Sequence, residues 1–148
     1  MSRSSSLACL FVLFSLAIIE IHAREPIPFP RYKFEFHIIK GYADGVILGL
    51  CTSPNQQFRA NFTLTHLDEQ YQHHFMVSRH FHVLYGCSFV KGHSNEKKSF
   101  SVFDQSVDTH VRRCGHTGMC FWKLKQDGIY FANDNVSYTK EFAWDSYI

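Results

Sequence analysis

The chain has 148 residues, with 15 Lys and Arg against 13 Asp and Glu, a formal net charge of +2, and ten histidines. Its only basic doublets are Lys97-Lys98 and Arg112-Arg113, so it lacks the concentrated basic stripe of a nucleic-acid binder. It has no GxSxG elbow, HExxH helix or Gly-rich phosphate loop, which excludes the best-marked hydrolase and nucleotide-binding classes.

Residues 1–6 are polar and carry Arg3; residues 7–19 are uncharged. Thirteen residues are too few to span a bilayer comfortably as a helix but suit a secretory h-region. Ile21-His22-Ala23 offers a cleavage site, and Pro26, Pro28 and Pro30 follow at once. Residues 1–23 are therefore expected to be a signal peptide. Residues 24–148 then form a single exported domain, long enough for a real core. No second segment suits membrane insertion.

The exported part alternates like strands. Tyr32, Phe34, Phe36 and Ile38 share one face, with Lys33, Glu35 and His37 on the other, the period of a half-buried strand. Asp44-Gly45 is a type I′ hairpin signal, and the apolar run 46–52 reads as a central strand that Ser53-Pro54-Asn55 breaks. Phe58, Ala60, Phe62 and Leu64 alternate with polar neighbours. Residues 66–72 read as a loop. A strand over 80–90 places Phe81, Val83, Tyr85, Cys87 and Phe89 inward. Residues 92–98 form a polar loop and 99–104 a short strand. Residues 105–119 are the longest weakly patterned stretch. Residues 120–125 point Cys120, Trp122 and Leu124 inward. Asp127-Gly128 signals a second hairpin, 129–132 a strand, 133–135 a turn, and 136–144 the last strand. About eight short strands without a helical period predict an all-β antiparallel sandwich. Aromatic residues, 16% of the chain, fall mostly on the inward faces and read as core.

With Cys9 in the leader, Cys51, Cys87, Cys114 and Cys120 remain. An even number of cysteines in an exported chain favours disulfides over thiolate zinc, and one short Cys pair is a poor start for a closed four-ligand site. In CGHTGMC, residues 114–120, Gly115 and Gly118 let the backbone fold back on itself. Of three possible connectivities, the favoured one is Cys114–Cys120 with Cys51–Cys87.

The ordered set of a strand entering Cys51, FHVLYGCSF around Cys87, FSVFD at 100–104, Cys114, CFW at 120–122, DGIYF at 127–131 and a closing Trp144 resembles the plant self-incompatibility protein family, the S-protein homologues. The resemblance covers nearly the whole exported part. It implies a small secreted β-sandwich with two disulfides, without cofactor or enzymatic activity. Some members are stigma-secreted ligands read by a pollen-surface receptor, leading to rejection of self pollen. The resemblance thus gives an extracellular, monomeric ligand with a cell-surface receptor protein as partner.

Two sequons, Asn61-Phe62-Thr63 and Asn135-Val136-Ser137, are candidate glycosylation sites, the first outward-facing on its strand and the second in a turn. Receptor contacts are expected on the connections 92–98 and 105–119, the second carrying Asp108, His110, Arg112, Arg113 and His116. His80 and His82 share an outward strand face, but no third ligand is fixed by spacing, so no metal is expected. The histidines also admit a secreted hydrolase of ribonuclease type, and the positive charge a cationic defence protein. Neither compact paired-histidine motifs nor an amphipathic helix supports these alternatives.

Overall fold

The computed structural model describes residues 33–146; the expected signal peptide and its cleavage site lie outside them. Ten strands follow in order: β1 (Lys33–Lys40), β2 (Ile47–Ser53), β3 (Phe58–Leu64), β4 (Gln70–Met76), β5 (Leu84–Lys91), β6 (Glu96–Asp104), β7 (Met119–Lys125), β8 (Gly128–Ala132), β9 (Thr139–Phe142) and β10 (Asp145–Ser146). They form two five-stranded sheets. Sheet one has the order β4-β1-β7-β8-β9 and sheet two β10-β6-β5-β2-β3. All pairings are antiparallel except β1 with β7.

The expected all-β, two-sheet arrangement is present, with two strands more than the eight anticipated. One is the two-residue β10. The other is β4, which begins inside the expected loop 66–72. Its inward positions are Tyr71, His73 and Phe75, and β1 pairs along all of it. The histidine at the middle inward position hides the apolar alternation.

Phe34, Phe36 and Ile38 of β1 and Trp122 and Leu124 of β7 pack against Ile47, Tyr85, Phe89, Val102 and Phe103 of sheet two. The buried Trp122 indole donates to the Val102 carbonyl at 2.9 Å, so the largest core side chain is also hydrogen-bonded between the sheets. Cys51 and Cys87 stand directly opposite each other in the β2–β5 ladder and are bonded, with Cα atoms 4.1 Å apart. Cys114 is bonded to Cys120, with Cα atoms 5.3 Å apart. Both pairings are those favoured from the sequence.

Asp44-Gly45 does turn the chain, with Gly45 at φ +69°, but it does not make a hairpin. β1 and β2 lie in different sheets, so the turn is a crossover. Lys40 holds it: its fully buried ammonium donates to the carbonyls of Tyr42, Ala43 and Asp44. A buried cation needs such partners. The expected strand 80–90 begins at Leu84; Phe81, expected inward, is 67% exposed. Residues 77–83 are kept off the ladder by Gln105, whose amide oxygen accepts from Val83 N at 2.9 Å and whose amide nitrogen donates to the Ser78 carbonyl at 2.9 Å. The polar loop expected at 92–98 is shorter, because β6 already begins at Glu96.

Candidate functional site

The strand directions sort the connections onto two ends of the sandwich. Loops 41–46, 65–69, 92–95 and 126–127 lie at one end. Loops 54–57, 77–83, 105–118 and 133–138 lie at the other. Pairing of Ile47 with Lys91 marks the first end, and pairing of Leu84 with Asp104 the second. The two connections expected to face a partner, 92–98 and 105–119, are therefore on opposite ends and do not form one patch.

The second end is built around residues 104–118. Asp104 caps a one-turn helix, Gln105–Asp108, accepting from Ser106 N at 2.9 Å and Ser106 Oγ at 2.6 Å. These bonds are the main reason its carboxyl is held below the usual value, with His82 Nε2, 3.1 Å away, adding to the effect. A π-helical turn, Val111–Gly115, follows. Gly115 approaches the preceding backbone so closely that a Cβ there would meet Thr109 O at 2.1 Å. Gly118 takes φ +77°, donates to Cys114 O and accepts from Glu35 N. The glycines of CGHTGMC thus serve close approach and a left-handed turn, and the cysteines fasten the result to β7.

The five residues singled out in this loop divide into two sets. Asp108 is 3% exposed; its carboxylate accepts from Asp104 N at 2.7 Å and Arg113 Nε at 3.1 Å. Burial nonetheless pushes its carboxyl up, outweighing those bonds. Arg113 also donates to Glu141 at 3.1 Å, and its guanidinium lies 3.7 Å from the Phe131 ring centroid. Asp108 and Arg113 are therefore turned inward and weld the loop to sheet one. His110, Arg112 and His116 are exposed.

Around them lies apolar surface that sequence periodicity did not mark. The large hydrophobics exposed among the described residues are Leu48, Leu67, Met76, Phe81, Val90, Val107, Val111, Met119 and Val136. Six of these, Met76, Phe81, Val107, Val111, Met119 and Val136, belong to this end. Arg79, His80 and Arg112 are exposed beside them, and neither arginine is held in an ion pair among the described residues. Met76 and Met119 line a cleft of about 460 Å³ that also includes Glu35 and His74, whose side chains meet at 2.6 Å. The end combines scattered apolar anchors with fixed positive charge.

The family model described as plant self-incompatibility protein S1 matches residues 35–144. The chain belongs to this family. No curated protein and no solved structure matches it. In this self-incompatibility protein, the four cysteines that carried the sequence resemblance form the two bridges, and Tyr85, Phe89, Phe103, Trp122 and Phe131 lie in the inter-sheet core, whereas Phe121 is buried on the outer face of sheet one and Phe81 is exposed.

The remaining sequence candidates fall as follows. Asn61 and Asn135 are both exposed, Asn61 on edge strand β3 and Asn135 at φ +60° in the β8–β9 turn. The Tyr138 hydroxyl donates to the Asn135 side-chain oxygen at 2.5 Å. His80 and His82 lie in loop 77–83 rather than on a strand face, and His82 pairs with Asp104. Among the described residues, the one trio with metal-ligand spacing is Asp108, Cys114 and Cys120, within 4.8 Å of one another. Its sulfurs are bonded to each other, so they offer no thiolate. No helix among the described residues is long and apolar enough to cross a membrane.

Proposed function

We propose that this self-incompatibility protein is a secreted extracellular signalling ligand, a monomer that works by being recognised rather than by turning over a substrate. Its partner is a cell-surface receptor protein, and rejection of self pollen is the response it serves. The observation that carries the reading is the gathering of Phe81, Val107, Val111 and Val136 with Arg79 and Arg112 at one end of a disulfide-braced scaffold. Aromatic and arginine side chains are favoured interface anchors, and the valines beside Phe81, Arg79 and Arg112 add apolar surface around them. Fastening loop 105–118 through Cys114–Cys120 and Asp108–Arg113 lowers the entropy lost on docking. The partner surface that fits is acidic with apolar pockets. Two disulfides agree with an oxidising extracellular location.

The test uses the purified protein applied to pollen in culture, with tube growth as the readout. Growth arrest that Arg112→Ser and Phe81→Ser each weaken, at unchanged thermal stability, is the expected result. Hydrolysis of RNA, glycosides or esters by the same preparation, abolished by a single histidine substitution, would replace the ligand reading with an enzymatic one.

A further inference from the structure

Sheet one and sheet two differ in what covers their outer faces. On sheet one, Ile39, Phe121 and Ala132 are buried, with Tyr138 packed against them. The outer face of sheet two has no such cover among the described residues: Leu48 and Val90, register partners on β2 and β5, are 47% and 39% exposed. Beside them runs the row Asn61, Leu50, Ser88, Ser99. Across these rows and the next, Arg59-Thr52-Gly86-Ser101, charged side chains stand only toward the ends: Arg59 on β3, and Lys97 on β6 with its register partner Asp145 on β10. At Gly86 an added Cβ would meet nothing within 4 Å. The result is a smooth sheet face whose middle, around Leu48, Leu50, Ser88 and Val90, carries no charge.

The sequon Asn61-Phe62-Thr63 lies within this face. Asn61 is exposed on an edge strand and stands opposite Leu50 in the ladder, while Thr63 stands opposite Leu48. Val90 is two strand spacings from β3, roughly 10 Å, within reach of the first few sugar units.

The geometry points to an N-linked glycan on Asn61 that folds back across sheet two and covers Leu48, Leu50 and Val90. In the modification, Asn61 Nδ2 attacks the anomeric carbon of a lipid-linked pyrophosphoryl oligosaccharide. A C–N bond forms, the anomeric C–O bond to phosphate breaks, the lipid pyrophosphate leaves with the electron pair, and one amide proton is released. The glycan's N-acetyl methyl and ring C–H surface then shield the leucines, while its hydroxyls face water, replacing an apolar surface by a solubilising one. This inference rests on the proposed export of the chain, since the sugar donor belongs to the secretory route.

The test separates the two. The full chain is produced in a secretory eukaryotic host behind a leader of proven efficiency, so modification is read whether or not the chain's own leader works. Export by the native leader is measured in a parallel culture. Glycopeptide mass spectrometry should find Asn61 carrying a glycan that Asn61→Gln removes. NMR should show contacts between the first N-acetylglucosamine and the methyls of Leu48 and Leu50. Enzymatic trimming of the folded glycoprotein to that first sugar, a control for misfolding of the variant, should raise the accessibility of the Val90 methyl to a soluble paramagnetic probe. An unmodified Asn61, or a modified Asn61 whose sugar shows no contact with Leu48 or Leu50, overturns the inference. Failure of native export with Asn61 modified behind the foreign leader sinks the export reading alone.

Discussion

The guanidinium of Arg113 lies 3.7 Å from the ring centroid of Phe131. It reaches that position from a loop between two sheets, and its Nε is bonded to the buried carboxylate of Asp108. Phe131 belongs to the core, so an arginine that looks like surface charge in the sequence is part of the packing that holds the loop.

Asp108→Ala removes the acceptor for both Asp104 N and Arg113. Leaving the partly buried Asp104 N–H and the Arg113 Nε without their acceptor, while Arg113 Nη1 keeps Glu141, should cost about 1–3 kcal/mol. Arg113→Lys should not rescue Arg113→Ala, since an ammonium cannot stack flat on Phe131 while donating to two carboxylates. Arg112→Ala, an exposed change, should stay within about 0.5 kcal/mol. Urea unfolding midpoints of the single variants check all three; equal losses at 112 and 113 would contradict this division of roles.

The two bridges should contribute unequally. Cys51–Cys87 spans 36 residues and Cys114–Cys120 six, so chain-entropy arguments assign about 4 kcal/mol to the first and about 2 kcal/mol to the second. The Cys114→Ser, Cys120→Ser double variant should remain folded, with faster amide exchange confined largely to 105–118. Exchange spread evenly over both sheets would show that the short bridge supports the whole fold.

Stability should fall in two pH windows. Burial, with a smaller contribution from neighbouring His74, lowers the His73 pKa below 6.5, so the folded state binds its proton less readily than the unfolded chain. Stability is fully present above that value and declines as pH falls from 6.5 towards the folded pKa. Glu69 is held at about 2, against an ordinary 4.5, chiefly by the backbone N–H groups of His66 and Thr65. Its contribution is present above 4.5 and is lost as pH falls towards 2. His73→Phe should flatten the first window and Glu69→Gln the second, as read from thermal midpoints across pH.

The opposite placement of the two candidate loops gives a sharp test of where recognition occurs. His93→Ala and Ser94→Ala, at the far end, should leave activity on responsive cells unchanged, whereas Val111→Ser and Arg112→Ser should reduce it several-fold without moving the unfolding temperature. A loss caused only by the changes at 93 and 94 would move recognition to the other end.

Lys40→Met should destabilise by about 1–3 kcal/mol, because the carbonyls of residues 42–44 lose the donor that gathers them. The effect should be much smaller for Lys33→Met, on an exposed position of the same strand. Equal effects would mean that strand propensity, not the buried ammonium, is being measured.

The amino-acid sequence by itself determined which side chains face inward on most strands. It also determined that four cysteines pair and that the chain turns at Gly45 and Gly128. These are local properties: alternation follows from the two-residue period of a strand, and turn residues act through their own φ and ψ. Strand partners were decided only by tertiary structure. Alternation does not say that β1 lies parallel to β7, or that the turn after Lys40 crosses between sheets instead of closing a hairpin. A histidine on the inward face concealed β4, and Gln105, distant in sequence, took up the backbone groups that would have extended β5 through Phe81. The recognition loop divides the same way. Its position and its bridge were legible, but burial of Asp108 and Arg113 depends on Phe131 and Glu141 arriving from other strands, and the gathering of Phe81, Val111 and Val136 at one end depends on the directions in which those strands run.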